Sequence, residues 1–319
     1  MKTKLFLQIS STLVCSAAAL SCAAADFPSR PITLVVPYSA GGGTDGVARL
    51  IAKGLSQALK QPVIVENAPG AEGLIGAQRV ARAAADGYTL GIGVPIMLMY
   101  KHTHAAIDPL KLLTPISLLA SAASALAVSA AANVKSMPEL VQYCKATNKC
   151  SIGSGDQFSG IAGKFAMSKL GIEALDVPYK GGGPVIIALA GGQIDVGSVS
   201  LSAALPLYNA GKIRIVAAGG EMRSKLTPEV PSYTEAGLAN MPFTSFWYGL
   251  FAPKNVPEKT IGEIRRALET LLKDEGLKAA LDLVGVKPVM STRAQFQTVF
   301  AQDQKILDDL IKRYPLDNK

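Results

Sequence analysis

A strand that runs straight into glycine sets the architecture of this chain. Ile32–Val36 is a run of β-branched and aliphatic residues, followed at once by Pro37-Tyr38-Ser39-Ala40-Gly41-Gly42-Gly43-Thr44-Asp45. Residues 44–60 then place Val47, Leu50, Ile51, Leu55 and Leu59 at helical spacing, and Val63-Ile64-Val65 supplies a second strand. Strand, helix and strand in that order form a βαβ unit, which implies an open α/β architecture with a largely parallel sheet and helices on both faces. The alternation continues. Strands are expected at residues 89–94, 125–129, 151–152, 175–177, 194–199, 213–218 and 248–251, and helices at 137–147, 159–170, 184–190, 258–273 and 293–313. The last helix is expected to pack across both halves of the molecule, and residues 118–128 and 244–251 are candidate crossings between them.

Residues 1–25 read as an export leader, a signal peptide. Lys2 and Lys4 are basic, residues 5–20 are mostly apolar, and Ala23-Ala24-Ala25 suits a signal peptidase. Cleavage is expected after Ala25. The alternative is lipid attachment at Cys22, but Ala19 stands where that signal wants a large aliphatic residue. Both routes take the protein out of the cytoplasm, and the remainder is long enough for two domains. Residues 110–132 are apolar, yet Lys111 and Pro115 interrupt them and the rest is mainly Ala and Ser, so they read as core strand plus loop and not as a membrane span.

The formal charge of +8 is spread along the chain with no run of five basic residues, which gives no support for a nucleic-acid partner and suits an anionic ligand. Beyond the leader only Cys144 and Cys150 remain of four cysteines. With no His or third Cys beside them, they are expected to form a local disulfide in an oxidising compartment. The two histidines, His102 and His104, would point to opposite sides of a strand and make a poor metal pair. No metal, cofactor or catalytic residue is expected. Gly-x-Ser-x-Gly is absent, and a triad would have to draw on one of those two histidines, so a hydrolase-type enzyme is the minor alternative.

The glycine turn at residues 38–45 carries the chemistry. Glycines let backbone N–H groups approach a ligand, and the dipole of the following helix attracts an anion. Neither Gly-Lys-Ser/Thr nor the dinucleotide spacing follows. Candidate contacts are Tyr38, Ser39, Ala40, Gly41, Gly43 and Thr44, with Asp45 expected to cap the helix because an acid facing an anion would repel it. An ordinary capped turn is the bland alternative. A second glycine turn, Ile152-Gly153-Ser154-Gly155-Asp156-Gln157-Phe158-Ser159-Gly160, again leads into a helix. Ser154, Gln157 and Ser159 are its candidate donors, and Phe158 is either an apolar wall or core. Tyr179, with an apolar face and a polar tip, joins the set. Two such turns could grip a small anion from both sides.

Taken in order, Arg30-Pro31-Ile32, the turn from Val36 to Asp45, Glu66-Asn67-Ala68-Pro69-Gly70-Ala71, Ala85-Asp86-Gly87-Tyr88-Thr89-Leu90 and Val177-Pro178-Tyr179-Lys180-Gly181-Gly182-Gly183-Pro184 resemble the substrate-binding proteins of tripartite tricarboxylate transporters, the Bug family. Gly191-Gly192-Gln193-Ile194-Asp195, Glu235-Ala236-Gly237 and Trp247-Tyr248-Gly249-Leu250-Phe251-Ala252-Pro253 extend the resemblance over nearly all of the exported chain. It implies a two-lobed periplasmic binding fold closing around a carboxylate, with residues 26–124 and 247–319 as a discontinuous first lobe and 125–246 as the second. It also implies delivery to a two-subunit membrane permease, by a protein expected to act as a monomer; a sensory role before a signalling receptor is the alternative output. Val199-Ser200 stands where members carry an Asp-Asn pair, and loss of that acid leans toward a plain carboxylate over an amino acid. Val94-Pro95-Ile96-Met97 stands where members are more polar, which makes Val94 a candidate contact and hints at an apolar or aromatic ligand body.

Overall fold

The computed structural model describes residues 27–103, 109–147 and 150–313. The expected leader, its cleavage site and His104 lie outside them. The first half alternates β1 (Ile32–Val36), α1 (Gly43–Leu59), β2 (Val63–Asn67), α2 (Leu74–Ala81) and β3 (Thr89–Gly93), followed by the short helices α3 (Tyr100–Thr103) and α4 (Pro109–Leu112). β4 (Leu113–Ser129) leads into α5 (Met137–Thr147), β5 (Cys150–Ser154), α6 (Gln157–Lys169), β6 (Ala174–Pro178), α7 (Gly182–Ala190), β7 (Val196–Ser200), α8 (Leu201–Asn209) and β8 (Ile213–Ala218). The chain ends with β9 (Ser245–Pro253), α9 (Glu258–Leu271), α10 (Glu275–Leu283), β10 (Val286–Pro288) and α11 (Arg293–Arg313).

The strands follow the order β2-β1-β3-β9-β4-β7-β5-β6, with β8 and β10 also paired to β4. β1 is parallel to β2 and β3, and β5 is parallel to β6 and β7. Antiparallel pairing is confined to β4 and β9 and the strands they meet. β4 belongs to both halves: Leu113 to Ala123 pairs with β9, and Ser124 to Ser129 pairs with β7 and β8. The chain returns at the end of the second half, where Ser124 N donates to Thr244 O at 3.0 Å just before β9 begins. This architecture is the two-lobed α/β fold.

Burial explains the division. One core gathers β1, β3, β9, α1, α9 and the first part of β4, while two smaller clusters cover opposite faces of the second sheet, one under α5 and the other under α7 and α8. The buried residues of α11, Phe296, Phe300, Leu307 and Leu310, all enter the first core, so this helix does not pack across both halves as the sequence suggests. Its aromatic side chains pack against Trp247 and Phe251. α6 spans the halves instead: Phe158, Ile161 and Phe165 lie in the first core and Ala166 and Met167 in the second.

Two local expectations change. His102 sits on a helix and not a strand, and its Nε2 lies 2.8 Å from Asp308 Oδ1 on α11. Residues 95–99 form a 3-10 turn inside the first core, with Val94, Ile96 and Met97 all buried, so this apolar run packs the interior. Residues 118–128 belong to one unbroken strand. Cys144 and Cys150 are joined by a disulfide. Among the described residues, no helix is long and apolar enough to cross a membrane, and no group of three or more His, Cys, Asp or Glu could hold a metal ion.

Candidate functional site

β1 delivers the chain to Pro37, and the turn passes through Gly41 at φ +84°, a conformation glycine adopts without strain. The residue capping α1 is Gly42, which offers no side chain. Asp45 therefore does not cap the helix as the sequence suggests. It lies inside the first turn, buried, and its carboxylate reaches backward to accept from Gly41 N, Arg49 Nε and Asn67 Nδ2, each at 2.9 Å. Asn67 Nδ2 also donates to Tyr38 O at 2.9 Å, so the end of β2 fixes both sides of the turn. Burial pushes the Asp45 carboxyl up, but donors on Arg49, Gly41 and Asn67 outweigh it and hold it below the usual range. The acid that would repel an anion is thus neutralised by the turn it organises.

The first backbone bond into α1 is Gly46 N to Gly42 O at 3.0 Å, which leaves the N–H groups of Gly43, Thr44 and Asp45 as the open donors of the helix terminus. Ser39, Ala40, Gly41 and Gly43 are exposed and Thr44 is half-buried. Across from them stands the start of α8. A Cβ on Gly43 would lie 3.7 Å from Ser202 Oγ. Ser202 Oγ is 2.9 Å from Ser200 Oγ and 3.4 Å from Tyr248 OH, and Ser200 caps α8 by accepting from Ala203 N. Gly182, the first residue of α7, abuts Ala203. Three helix N-termini, those of α1, α7 and α8, converge on this corner, and each adds positive potential.

The second glycine turn is built differently. Ser154 is buried and donates to Asp176 Oδ1 at 2.9 Å, while Ser159 Oγ donates to Asp156 O and accepts from the N–H groups of Gly155 and Asp156. A hydroxyl has one proton to give, and both have given it within the turn. Asp156 caps α6 by accepting from Ser159 N at 2.7 Å in a reciprocal capping box. Gln157 N donates to Glu72 Oε1, from the first half, at 3.3 Å. Gly155 packs on the next turn: a Cβ there would lie 2.7 Å from Gly181 C and Gly182 N, and Gly181 N donates to Gly155 O at 2.8 Å. Phe158 is core, 4.5 Å from the ring of Phe243. Tyr179 is half-buried, its N–H on Ser154 O, and Lys180 is exposed.

Between the two turns lie Glu72 and Tyr100, which the sequence does not single out, and Tyr38, which it does. Glu72 sits in a run of four positive φ values, Gly70 at 125°, Ala71 at 45°, Glu72 at 52° and Gly73 at 90°. Tyr100 OH donates to Glu72 O at 3.2 Å. The Tyr38 hydroxyl is buried with no hydrogen-bond partner among the described residues. Burial first, and then the charges of Asp156, Tyr100, Glu72 and Tyr248, raise the Tyr38 phenol well above its ordinary range. Burial also raises the carboxyls of Asp156 and Glu72, the latter further by Asp156 itself. Tyr38 and the turn that holds Asp156 are legible in the sequence; the only trace of Glu72 there is an acid standing between glycines at Gly70-Ala71-Glu72-Gly73. The enclosed void behind Tyr100, lined by Val35, Pro37, Val94, Met97 and Phe251, holds about 10 Å³, room for one water and not for an organic anion.

Set beside known proteins, residues 47–316 match the model described as tripartite tricarboxylate transporter family receptor. Among solved structures, the chain superposes on one titled as a periplasmic transporter with a TM-score of 0.85 and 32% identity, covering 91% of this chain and 98% of that one. It superposes on MatC from Rhodopseudomonas palustris with bound malate at 0.81 and 29% identity, covering 89% and 100%. A third, Rpa4515 of R. palustris with adipate, gives 0.83 and 29%, covering 90% and 98%.

Proposed function

Because the chain belongs to the family of tripartite tricarboxylate transporter receptors, we propose that its ligand is a small organic carboxylate held at the corner where α1, α7 and α8 begin. The family's members are periplasmic solute-binding proteins and not enzymes, and the chain is one of them. The observation that carries the proposal is the facing of two helix starts, Gly43 on α1 and Ser202 on α8, with 3.7 Å between Ser202 Oγ and the Cβ position of Gly43. A carboxylate there meets the N–H groups of Gly43 and Thr44 and the hydroxyls of Ser200 and Ser202, inside the positive ends of the helix dipoles. Ser39, Ala40 and Gly41 line its open side, and Tyr38 and Tyr179 flank it. The Ser154 and Ser159 hydroxyls donate within the second turn, which leaves the exposed side-chain amide of Gln157 as its donor toward the ligand. Malate in MatC and adipate in Rpa4515 are small carboxylates in proteins of closely similar fold, which supports the class.

The same reading includes removal of the leader after Ala25, a monomeric receptor and a permease of two subunits. It takes residues 26–124 with 247–319 as one lobe and 125–246 as the other, joined where β4 and the start of β9 cross. A thermal-shift screen of aliphatic and aromatic mono-, di- and tricarboxylates against the mature protein tests it. At least one acid is expected to raise the melting temperature by several degrees and to be recovered unchanged. Gly43→Val is expected to abolish that shift with little change in unliganded stability, because only Ser202 Oγ lies within 4 Å of the Cβ position. If no acid stabilises the wild-type protein, or if Gly43→Val binds as well, the proposal fails.

A further inference from the structure

The first-turn amides of α6 are already occupied by the protein's own acids. Glu72 Oε1 takes the N–H of Gln157 and Asp156 takes that of Ser159, and Asp156 also accepts from Phe158. The two glycine turns are therefore not equivalent. One presents open donors; the other presents two carboxylates, with the buried, unpartnered hydroxyl of Tyr38 within electrostatic reach of both. Glu72 reaches this position from a left-handed backbone, φ 52° and ψ 35°, in a loop where glycine would sit without strain. A non-glycine residue kept at such a φ is a place to look for a side-chain role, and at Glu72 the hydrogen bond to Gln157 N supplies one.

We infer that Glu72 determines which carboxylates this protein accepts: with Asp156 and Tyr38 it forms an acidic corner that selects a ligand carrying one carboxylate and, at its other end, a cationic or strongly donating group such as an ammonium. The inference rests on the reading that a ligand carboxylate binds at the start of α1 and α8. A second carboxylate on the ligand would have to displace Glu72 from Gln157 N–H, or lie against two like charges. An ammonium instead meets acceptors: the Glu72 carboxylate, the Asp156 carboxylate and the Tyr38 oxygen, which has no hydrogen-bond partner among the described residues. Both acids are pushed up by burial, and Glu72 further by Asp156, so a cation in the corner offsets a standing cost. The lean toward a plain carboxylate, based on Val199-Ser200, is reversed on this account. The compensating acid comes from the first half of the molecule.

The test uses matched probes: glutarate against 4-aminobutanoate, and adipate against 5-aminopentanoate, which replace one carboxyl by an ammonium on the same chain length. Affinities are measured by calorimetry at neutral pH on the full mature wild-type chain, Glu72→Gln and Glu72→Gly. Glu72→Gly relieves the left-handed backbone, so it guards against a trivial folding defect. The wild-type protein is expected to favour each amino acid over its dicarboxylate partner by about tenfold or more. Both variants are expected to lose that preference or reverse it. A wild-type protein that prefers the dicarboxylates, or a preference unchanged in both variants, overturns the role of Glu72 while leaving the carboxylate reading intact. Absence of binding by all four probes, and by every acid of the wider screen, overturns both.

Discussion

Asp45 shows how one side chain can organise a binding turn without touching a ligand. Its folded pKa is lowered because the donors from Arg49, Gly41 and Asn67 outweigh burial. A lowered carboxyl contributes stability that is present above the unfolded value near 4 and lost as pH falls through the folded one. Asp45→Ala orphans Gly41 N–H and one arm of Asn67, so a loss of about 2 kcal/mol is expected at pH 7, shrinking below about pH 4. Urea unfolding at both pH values measures it, and an equal loss at both would mean that the charge is irrelevant. The sequence picks out this residue but misreads its part, since an acid just after a glycine run looks like a cap, and the register of the helix start decides. Glu72 is hidden for a deeper reason. Its partner Gln157 is 85 residues away, and no local pattern reports that meeting.

Elements are legible wherever the apolar period is undisturbed. Helix 293–313 and strand Ile32–Val36 fall where the spacing puts them, and α1 differs by one residue at each end. α8 escapes a reading of the sequence because Ser200 ends β7 and caps the helix with no linker between, and because Pro206 lies inside it. α10 buries only Leu277 and Leu281, too sparse a stripe to read. Packing between elements also sets a pH response. Trp247 on β9 donates to Asp303 on α11 at 2.9 Å, and burial, more than that bond offsets, pushes the Asp303 carboxyl up to about 6. A raised carboxyl favours the fold fully below the unfolded value near 4, and that contribution is lost as pH rises through 6, at about 1.4 kcal/mol for each pH step between the two values. Asp303→Asn keeps the acceptor for the indole and drops the charge. It is expected to melt several degrees above wild type at pH 8, with the advantage gone at pH 4. A constant difference across that range would place the effect in packing.

At the scale of the whole molecule, the crossings are legible in the sequence and the contact that spans the halves is not. The helix that bridges them is α6, because its apolar residues serve two cores: Phe158, Ile161 and Phe165 face the first, Ala166 and Met167 the second. Its first turn holds Asp156 on Ser159 N and receives Glu72 of the first half on Gln157 N, so the same helix meets the first half at its start and along its apolar face. If the lobes separate between ligands, Phe158 leaves the first core and meets water, and truncating it penalises the closed form alone. If they do not, Phe158→Ala is an ordinary core deletion costing about 3 to 5 kcal/mol of global stability. The two cases differ in what is measured. For a closing clamshell, Phe158→Ala is expected to weaken ligand binding by about tenfold or more, to raise the small-angle scattering radius of the unliganded protein, and to cost less than a full core deletion on unfolding. A variant that binds with unaltered affinity and radius yet unfolds several kcal/mol more easily would instead make α6 a fixed strut, and the ligand would then have to enter without any opening between the sheets.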